Sequence, residues 1–358
     1  MLYLWQQRIF FAAFFYGIMS KILVTGGTGF IGSHTAVELI AAGHEVVIID
    51  NLSNSEEFIV KRMEAITGVK PIFYKANCSV SSDLDRIFEQ HPNIDAVIHF
   101  AAYKAVKESI EKPLDYYHNN VLSMIALLQA MQKAKVDNLV FSSSCTIYGE
   151  SAPLPLSEEL PMTPTTSPYG RTKQMCEQII ADYLAINSNF HNISLRYFNP
   201  IGAHPSGQIG ELPIGVPNNL IPYITQTAAG VRSELKVFGN DYPTPDGTAL
   251  RDYIDVVDLA KAHVKAVNRL VSGGSPAQFD AFNLGAGKGI SVKEIIDTFE
   301  KVNGLKVNWS FAPRRQGDLP SIYADASKAK NELHWEAETP LSESLRNAWL
   351  WEKSYRNI

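Results

Sequence analysis

Tyr169 and Lys173 stand four residues apart in the run Ser167-Pro168-Tyr169-Gly170-Arg171-Thr172-Lys173. Serine suits a helix N-cap and proline its first turn, so the run predicts a helix that starts here. On such a helix positions i and i+4 share a face, which holds an ammonium beside a phenol. A free phenol ionises near pH ~10, and a neighbouring cation favours the phenolate. A base useful near pH ~7 needs about 4 kcal/mol of such help, at about 1.4 kcal/mol per unit. Ser144 closes Phe141-Ser142-Ser143-Ser144, which reads as the mouth of a buried strand. Its hydroxyl is placed to share a substrate proton with Tyr169. Taken alone, Tyr-x-x-x-Lys is also the pattern of a surface tyrosine beside a solvated lysine, and the rest of the chain must decide.

The decision comes from the other end. Lys21-Ile22-Leu23-Val24-Thr25 is an apolar run of strand length that leads into Gly26-Gly27-Thr28-Gly29-Phe30-Ile31-Gly32. A helical stretch, Ser33 to Ala42, ends at Gly43, and Glu45 to Asp50 reads as a second buried strand. Strand, glycine turn, helix, strand and acid make the βαβ unit that a dinucleotide fingerprint requires. Gly26, Gly29 and Gly32 let the backbone approach a pyrophosphate, and the helix N-terminus supplies N–H groups and dipole to the anion. Asp50 ends the second strand, where a carboxylate accepts from ribose hydroxyls and repels a 2′-phosphate. The expected cofactor is therefore NAD rather than NADP.

Strand-like runs recur at Lys70–Lys75, Ala96–Phe100, Asn138–Ser142 and Ile193–Tyr197, alternating with helical patterns at Val80–Gln90, Leu114–Lys135 and Tyr169–Ile186. This order predicts an α/β fold, a Rossmann-type doubly wound parallel sheet. Residues 20–198 are expected to form the NAD-binding domain, rejoined by a returning strand at Phe279–Leu284. After Asn199 the alternation turns irregular and Gly, Pro and Asn cluster, so 199–358 are expected to form a smaller substrate-binding α/β domain. The chain has 358 residues, 46% hydrophobic, enough for one large α/β unit or two domains. A net charge of −5 without a basic block argues against nucleic acid. Cys78, Cys145 and Cys176 show no metal-type spacing and fit a reducing, cytoplasmic compartment. No metal site is expected among the histidines either; His34 reads as a packing or capping residue and His99 as a satisfied core residue. Residues 1–19 read as an extension, disordered or upstream of the natural start. Ile9 to Ile18 is too short for a membrane span, and no membrane association is expected.

Gly26-x-x-Gly29-x-x-Gly32 together with Tyr169-x-x-x-Lys173 resembles the extended short-chain dehydrogenase/reductase family. Asp50-Asn51-Leu52-Ser53-Asn54-Ser55, Arg196-Tyr197-Phe198-Asn199-Pro200, Pro217-Asn218-Asn219-Leu220, Phe238-Gly239-Asn240-Asp241-Tyr242, Leu250-Arg251-Asp252-Tyr253 and Ala312-Pro313-Arg314-Arg315-Gln316-Gly317-Asp318 narrow the resemblance. From about Lys21 to about Trp351 the chain is similar to the UDP-glucose 4-epimerases of that family. The resemblance implies C4 epimerisation of UDP-glucose and UDP-galactose through a transient 4-keto sugar, with NAD retained throughout. It also implies a homodimer formed by Leu114–Lys135 and Tyr169–Ile186 as a four-helix bundle. On the cofactor side it adds Phe30, Ile31, Asn51, Asn54, Ser55, Asn77, Cys78, Phe100, Ala101, Ala102, Lys104, Asn119, Tyr197 and Phe198 to the glycines, Asp50 and the trio. On the substrate side, Arg251 and Arg315 offer guanidinium forks to a diphosphate. Asn199, Asn219, Tyr197, Phe238 and Tyr253 offer polar partners and an apolar shelf to uracil and sugar, and Lys104 and Asp318 complete the set with Ser144 and Tyr169. Ile322 matches a gate over the sugar's 2-substituent, although a plain core isoleucine would look the same. The expected substrates are UDP-glucose and UDP-galactose, with weaker activity on UDP-N-acetylglucosamine.

Two departures from the family pattern stand out. Asn77 replaces an aspartate facing the adenine amino group, and its amide oxygen still accepts a hydrogen bond. Ala102-Tyr103 replaces a Gly-Leu pair. Three rival readings compete with epimerisation. A sugar-nucleotide 4,6-dehydratase needs an acid immediately after the active-site serine, and here that position is Cys145. A net dehydrogenase that releases NADH is a lesser alternative. A non-catalytic NAD sensor is expected to have lost Tyr169 or Lys173, and both are present.

Overall fold

The computed structural model describes residues 19–150, 152–315 and 317–358. The expectations for residues 1–18 lie outside them. Strand β1 (Lys21–Thr25), helix α1 (Phe30–Ala41) and strand β2 (Glu45–Asp50) form the first βαβ unit. The helix begins three residues earlier than its pattern suggested, because Phe30 to Gly32 already belong to its first turn. There follow α2 (Phe58–Thr67), β3 (Ile72–Lys75), α3 (Ser81–Gln90) and β4 (Ala96–His99). Helix α2 had no sequence signal, since it starts on Glu57 without a side-chain cap; only Gly68, with φ +73°, marks its end.

The segment expected as one helix, Leu114–Lys135, is three pieces. A short turn over Pro113–Tyr116 and a π-helical turn over Tyr117–Val121 precede α4 (Leu122–Ala134). A π-turn carries an extra residue and is common beside functional sites. Here it goes with a buried Asn120, whose amide donates to the Tyr103 carbonyl and to Thr172 Oγ1, each at 3.0 Å, while its oxygen accepts from the Tyr103 N–H at 2.8 Å. Next come β5 (Asn138–Ser144), α5 (Pro168–Leu184) and β6 (His191–Tyr197). Ser167 caps α5 as expected, accepting from the Gly170 N–H at 3.1 Å.

The main sheet has seven parallel strands in the order β11-β6-β5-β4-β1-β2-β3, where β11 is Phe279–Leu284. This is the doubly wound fold, with its strand order reversing beside β1, where such sheets open a crevice at their carboxyl ends. The expected returning strand is therefore present, paired with β6 so that Leu284 meets Tyr197. It comes with a helix that was not anticipated, α7 (Val256–Val271), which packs against α1 and the sheet. Ile254, Leu259, Ala262, Ala266 and Val267 join Ile22, Val24, Leu39 and Ile48 in one buried cluster.

The remainder of the second half builds small sheets. Strand β7 (Asn199–Ile201) pairs with β10 (Tyr253–Asp255). Strand β9 (Leu250–Arg251) lies between β12 (Ile290–Ser291) and β14 (Ser321–Ile322). Strand β8 (Leu235–Phe238) pairs with β13 (Trp309–Ala312). Helices α6 (Leu220–Ala228), α8 (Val292–Asn303) and α9 (Leu341–Arg356) cover them around Ile224, Ile295, Phe299 and Leu345. No helix among the described residues is long and apolar enough to cross a membrane.

Candidate active site

The cofactor crevice is shaped by backbone. A Cβ on Gly32 would stand 2.3 Å from the Gly26 carbonyl oxygen, and one on Gly26 would stand 2.8 Å from the Ala101 nitrogen. Gly26 also holds φ +68°. The turn after β1, the first turn of α1 and the segment after β4 therefore approach as closely as only glycine permits, and α1 opens on Gly29 without a side-chain cap, leaving its first N–H groups for an anion. The residues present fit NAD on these grounds. Asp50, at the end of β2, accepts from the Thr28 N–H at 3.1 Å, the Leu52 N–H at 2.9 Å and Ser55 Oγ at 3.0 Å. The carboxylate is thus held in place by the loops on either side of the ribose position. Cys78 lies buried nearby, and burial pushes its thiol up to about 12, so it stays neutral. Asn77 Oδ1 accepts from the Ser79 N–H at 2.9 Å, which fixes the amide's orientation. Phe100 and Ala101 follow β4, tied to Thr25 at 3.1 and 3.3 Å, and the Phe100 ring stands 4.7 Å from His263. Asn51, Ala102 and Phe198 are at least partly buried along the same rim, whereas Asn54 is exposed.

The trio converges as its spacing implied. Ser144 ends β5, and α5 carries Tyr169 and Lys173 past it. Lys173 is buried, with Nζ 2.6 Å from the Ser142 carbonyl and 5.9 Å from the centre of the Tyr169 ring. Burial pulls its pKa down to about 8, opposed by Cys176 and Glu177. One expectation fails. Tyr169 was to be depressed by the ammonium, yet desolvation pushes it up to about 12, with the Ser144 hydroxyl as the opposing hydrogen bond. The reason is geometric: the ammonium is aimed at the Ser142 carbonyl, and burial costs the phenolate more than one hydroxyl returns. His99 is the satisfied core residue expected, 2.8 Å from Thr25 Oγ1, and His34 Nδ1 lies 2.7 Å from the Phe30 carbonyl.

The substrate half also gathers its residues. Asn199 and Tyr253 are paired across β7 and β10, and Arg251 and Ile322 across β9 and β14. Arg251 pairs with Asp318 and donates to the Leu319 carbonyl at 2.9 Å, while the Arg315 guanidinium stacks 4.1 Å over Phe238. Ile322 is half-buried beside Ile147, Tyr148 and Phe198. The Tyr197 hydroxyl is committed to Ser142, and its buried ring stands 5.8 Å from the ring of His263. Asn119 donates to its neighbour Asn120 at 3.0 Å.

Three residues escaped the sequence reading. Asn120 is the clamp of the Tyr103 loop onto α5. Glu211 brings two candidates together, with Oε1 accepting from Lys104 Nζ at 3.1 Å and from Asn219 Nδ2 at 2.5 Å. Asp252 is fully buried and accepts from the N–H groups of Ala286 (2.7 Å), Gly287 (3.1 Å) and Ala324 (3.0 Å). Its place between Arg251 and Tyr253 was the one available signal.

A family model described as "NAD dependent epimerase/dehydratase family" matches residues 22–285. The chain belongs to that family. It is 50% identical over 336 residues to the UDP-glucose 4-epimerase of Bacillus subtilis, covering 94% of this chain and 98% of that protein. The UDP-glucose 4-epimerase of Dictyostelium discoideum is 49% identical over 335 residues, 94% of this chain and 96% of its own. Among solved structures, the Stenotrophomonas maltophila UDP-glucose-4-epimerase with bound NAD and formylated UDP-arabinopyranose superposes with a TM-score of 0.91. It is 47% identical and covers 94% of this chain and 99% of its own. The Bifidobacterium longum enzyme in complex with NAD+ and UDP gives 0.89 at 44% identity, over the same shares.

Proposed function

We propose that the chain interconverts UDP-glucose and UDP-galactose by inverting C4, with NAD bound through the cycle. The observation that carries this is the placement of Tyr169 and Lys173 on one helical face at the end of β5, beside a glycine crevice built for a dinucleotide. When bound, NAD+ supplies the hydride acceptor and the positive charge that favours a phenolate. Tyr169 takes the proton of the sugar 4-hydroxyl, and Ser144 passes its hydrogen bond between that oxygen and the phenol. Lys173, ionised below its pKa of about 8, keeps positive charge at the buried end of the site. Arg251 and Arg315 hold the diphosphate, and Asn199, Asn219, Phe238 and Tyr253 hold uridine and sugar. Asp318 and Ile322 border the hexose, with Lys104 at its rim. Tight binding at UDP and loose binding at the hexose let a 4-keto sugar present either face without escaping, so remote binding energy serves the reaction.

Residues 20–198 with 256–284 form the cofactor domain in this reading, and the rest of 199–358 the substrate domain. The exposed Leu114, Ile125 and Met175 beside or on α4 and α5 support a homodimer through those helices; a monomer mass by light scattering at micromolar concentration counts against it. UDP-N-acetylglucosamine is a weaker substrate and the cytoplasm the site of action. The test is incubation of the purified chain with UDP-galactose and no added NAD. UDP-glucose should appear, and heat-denatured protein should release NAD. Absence of turnover, or release of NADP, overturns the reading.

A further inference from the structure

The stripe that carries Tyr169 and Lys173 continues one turn further to Glu177, at i and i+4 again. Glu177 is 1% exposed. Arg196, on β6, grips it with both arms of its guanidinium, Nε to Oε1 at 3.1 Å and Nη2 to Oε2 at 2.7 Å. Ser143, the neighbour of Ser144, donates to the same carboxylate. The third arm of Arg196 donates to the Tyr148 hydroxyl at 3.1 Å, which donates in turn to Asn283 Oδ1 on β11 at 2.7 Å. One buried polar chain therefore ties α5 to β5, β6, the turn after β5 and the returning strand, at the level of the trio.

We propose that Glu177 is a positioning residue for epimerisation, holding Ser144 in register through Ser143 and keeping Lys173 charged. This rests on the activity proposed above. The groups that face Lys173 leave Glu177 as its counter-charge. On its own helix, Cys176 is pushed up to about 12 and stays neutral at working pH, and the Tyr169 phenol, also pushed up to about 12 by burial, carries charge only while it acts as the base. His99, from β4, is pulled down to about 3 and is also neutral. From β5 come the Phe141 ring, 4.9 Å away, and the Ser142 carbonyl. Arg196, from β6, carries a positive charge that the carboxylate already engages. Removing the negative charge at 177 lowers the pH at which Lys173 gives up its proton, while Arg196 remains to fill the volume.

The test compares wild type, Glu177→Gln, Glu177→Asp and Ser143→Ala by pH–rate profiles for UDP-galactose, with bound NAD and Tm measured alongside. Epimerisation by the wild type secures the underlying activity independently. Glu177→Gln is expected to move the alkaline limb of kcat down by about one pH unit with KM little changed. Glu177→Asp keeps the charge and should leave that limb near the wild-type position. Ser143→Ala, which spares the buried ion pair, should lower kcat severalfold at unchanged limb and retained NAD, and it reads the positioning role if Glu177→Gln does not fold. An alkaline limb unmoved in a folded Glu177→Gln, or a wild-type kcat in Ser143→Ala, overturns the proposal while leaving the epimerase reading intact. So does a limb that moves equally in Gln and Asp.

Discussion

Replacing Gly32 by alanine puts a methyl group 2.3 Å from the Gly26 oxygen, 2.8 Å from the Gly27 Cα and 3.0 Å from the Gly26 carbonyl carbon. All three are backbone atoms of the turn, so no side chain can swing aside. Relief to ordinary contact requires α1 to move away from the glycine turn by roughly 1 Å. Overpacking of this kind costs about 1–3 kcal/mol, which for a chain of this size lowers Tm by about 1–4 °C. The movement also withdraws the helix's first N–H groups from the pyrophosphate position, and a misplacement of about 1 Å can cost on the order of 10²-fold in rate. The assay is NAD released per protomer on denaturation, with Tm and turnover on the same sample. Gly43→Ala is the control. Its methyl meets nothing within 4 Å, but its φ of +91° makes alanine strained. It should lose about 1 kcal/mol of stability and keep its NAD. If Gly32→Ala retains NAD at the wild-type level, the close approach of α1 to the turn does not make the cofactor site.

Three further outcomes are expected. Tyr169→Phe should lose nearly all turnover yet keep NAD and UDP, because it removes only the proton acceptor; near-normal epimerisation would assign the base elsewhere. Acid should destabilise the fold. His34, His99 and His263 are held by burial at about 3, 3 and 4, whereas in the unfolded chain they take protons near pH ~6.5. Below that pH the unfolded state binds protons the folded state refuses, and each histidine removes about 1.4 kcal/mol per unit until its own folded pKa is reached. Asp255, pushed up to about 6 by burial, protonates earlier in the folded state and returns one such slope below ~6. Tm should therefore be lower at pH 5.5 than at 7.5, and a flat profile between them refutes the assignment of buried neutral histidines. Ile322→Tyr should change the ratio of kcat/KM for UDP-galactose and UDP-N-acetylglucosamine; an unchanged ratio removes Ile322 as the gate.

What the sequence determined by itself was local. Period, caps and glycines placed β1, the turn, α1 and β2 within a few residues, because each signal spans a single turn of chain. The Ser167 cap and the i, i+4 spacing likewise put Tyr169 and Lys173 on one face without any knowledge of packing. Arg251, Asp318 and Ile322 could be named only by resemblance. Their meeting across β9 and β14 joins segments about seventy residues apart, which no local period encodes. The π-turn at Tyr117–Val121 was invisible for the same reason: Asn120 turns inward to reach Tyr103 and Thr172. The tertiary structure alone decided the electrostatics. Spacing set a cation beside Tyr169, but the direction in which that phenol moves depends on how much water is excluded and where the ammonium points. Burial by the surrounding strands, and the Ser142 carbonyl that captures Lys173, override the pairwise attraction. Glu177 and Arg196 belong to the same class, since a buried carboxylate and guanidinium nineteen positions apart become partners only once α5 lies against β6.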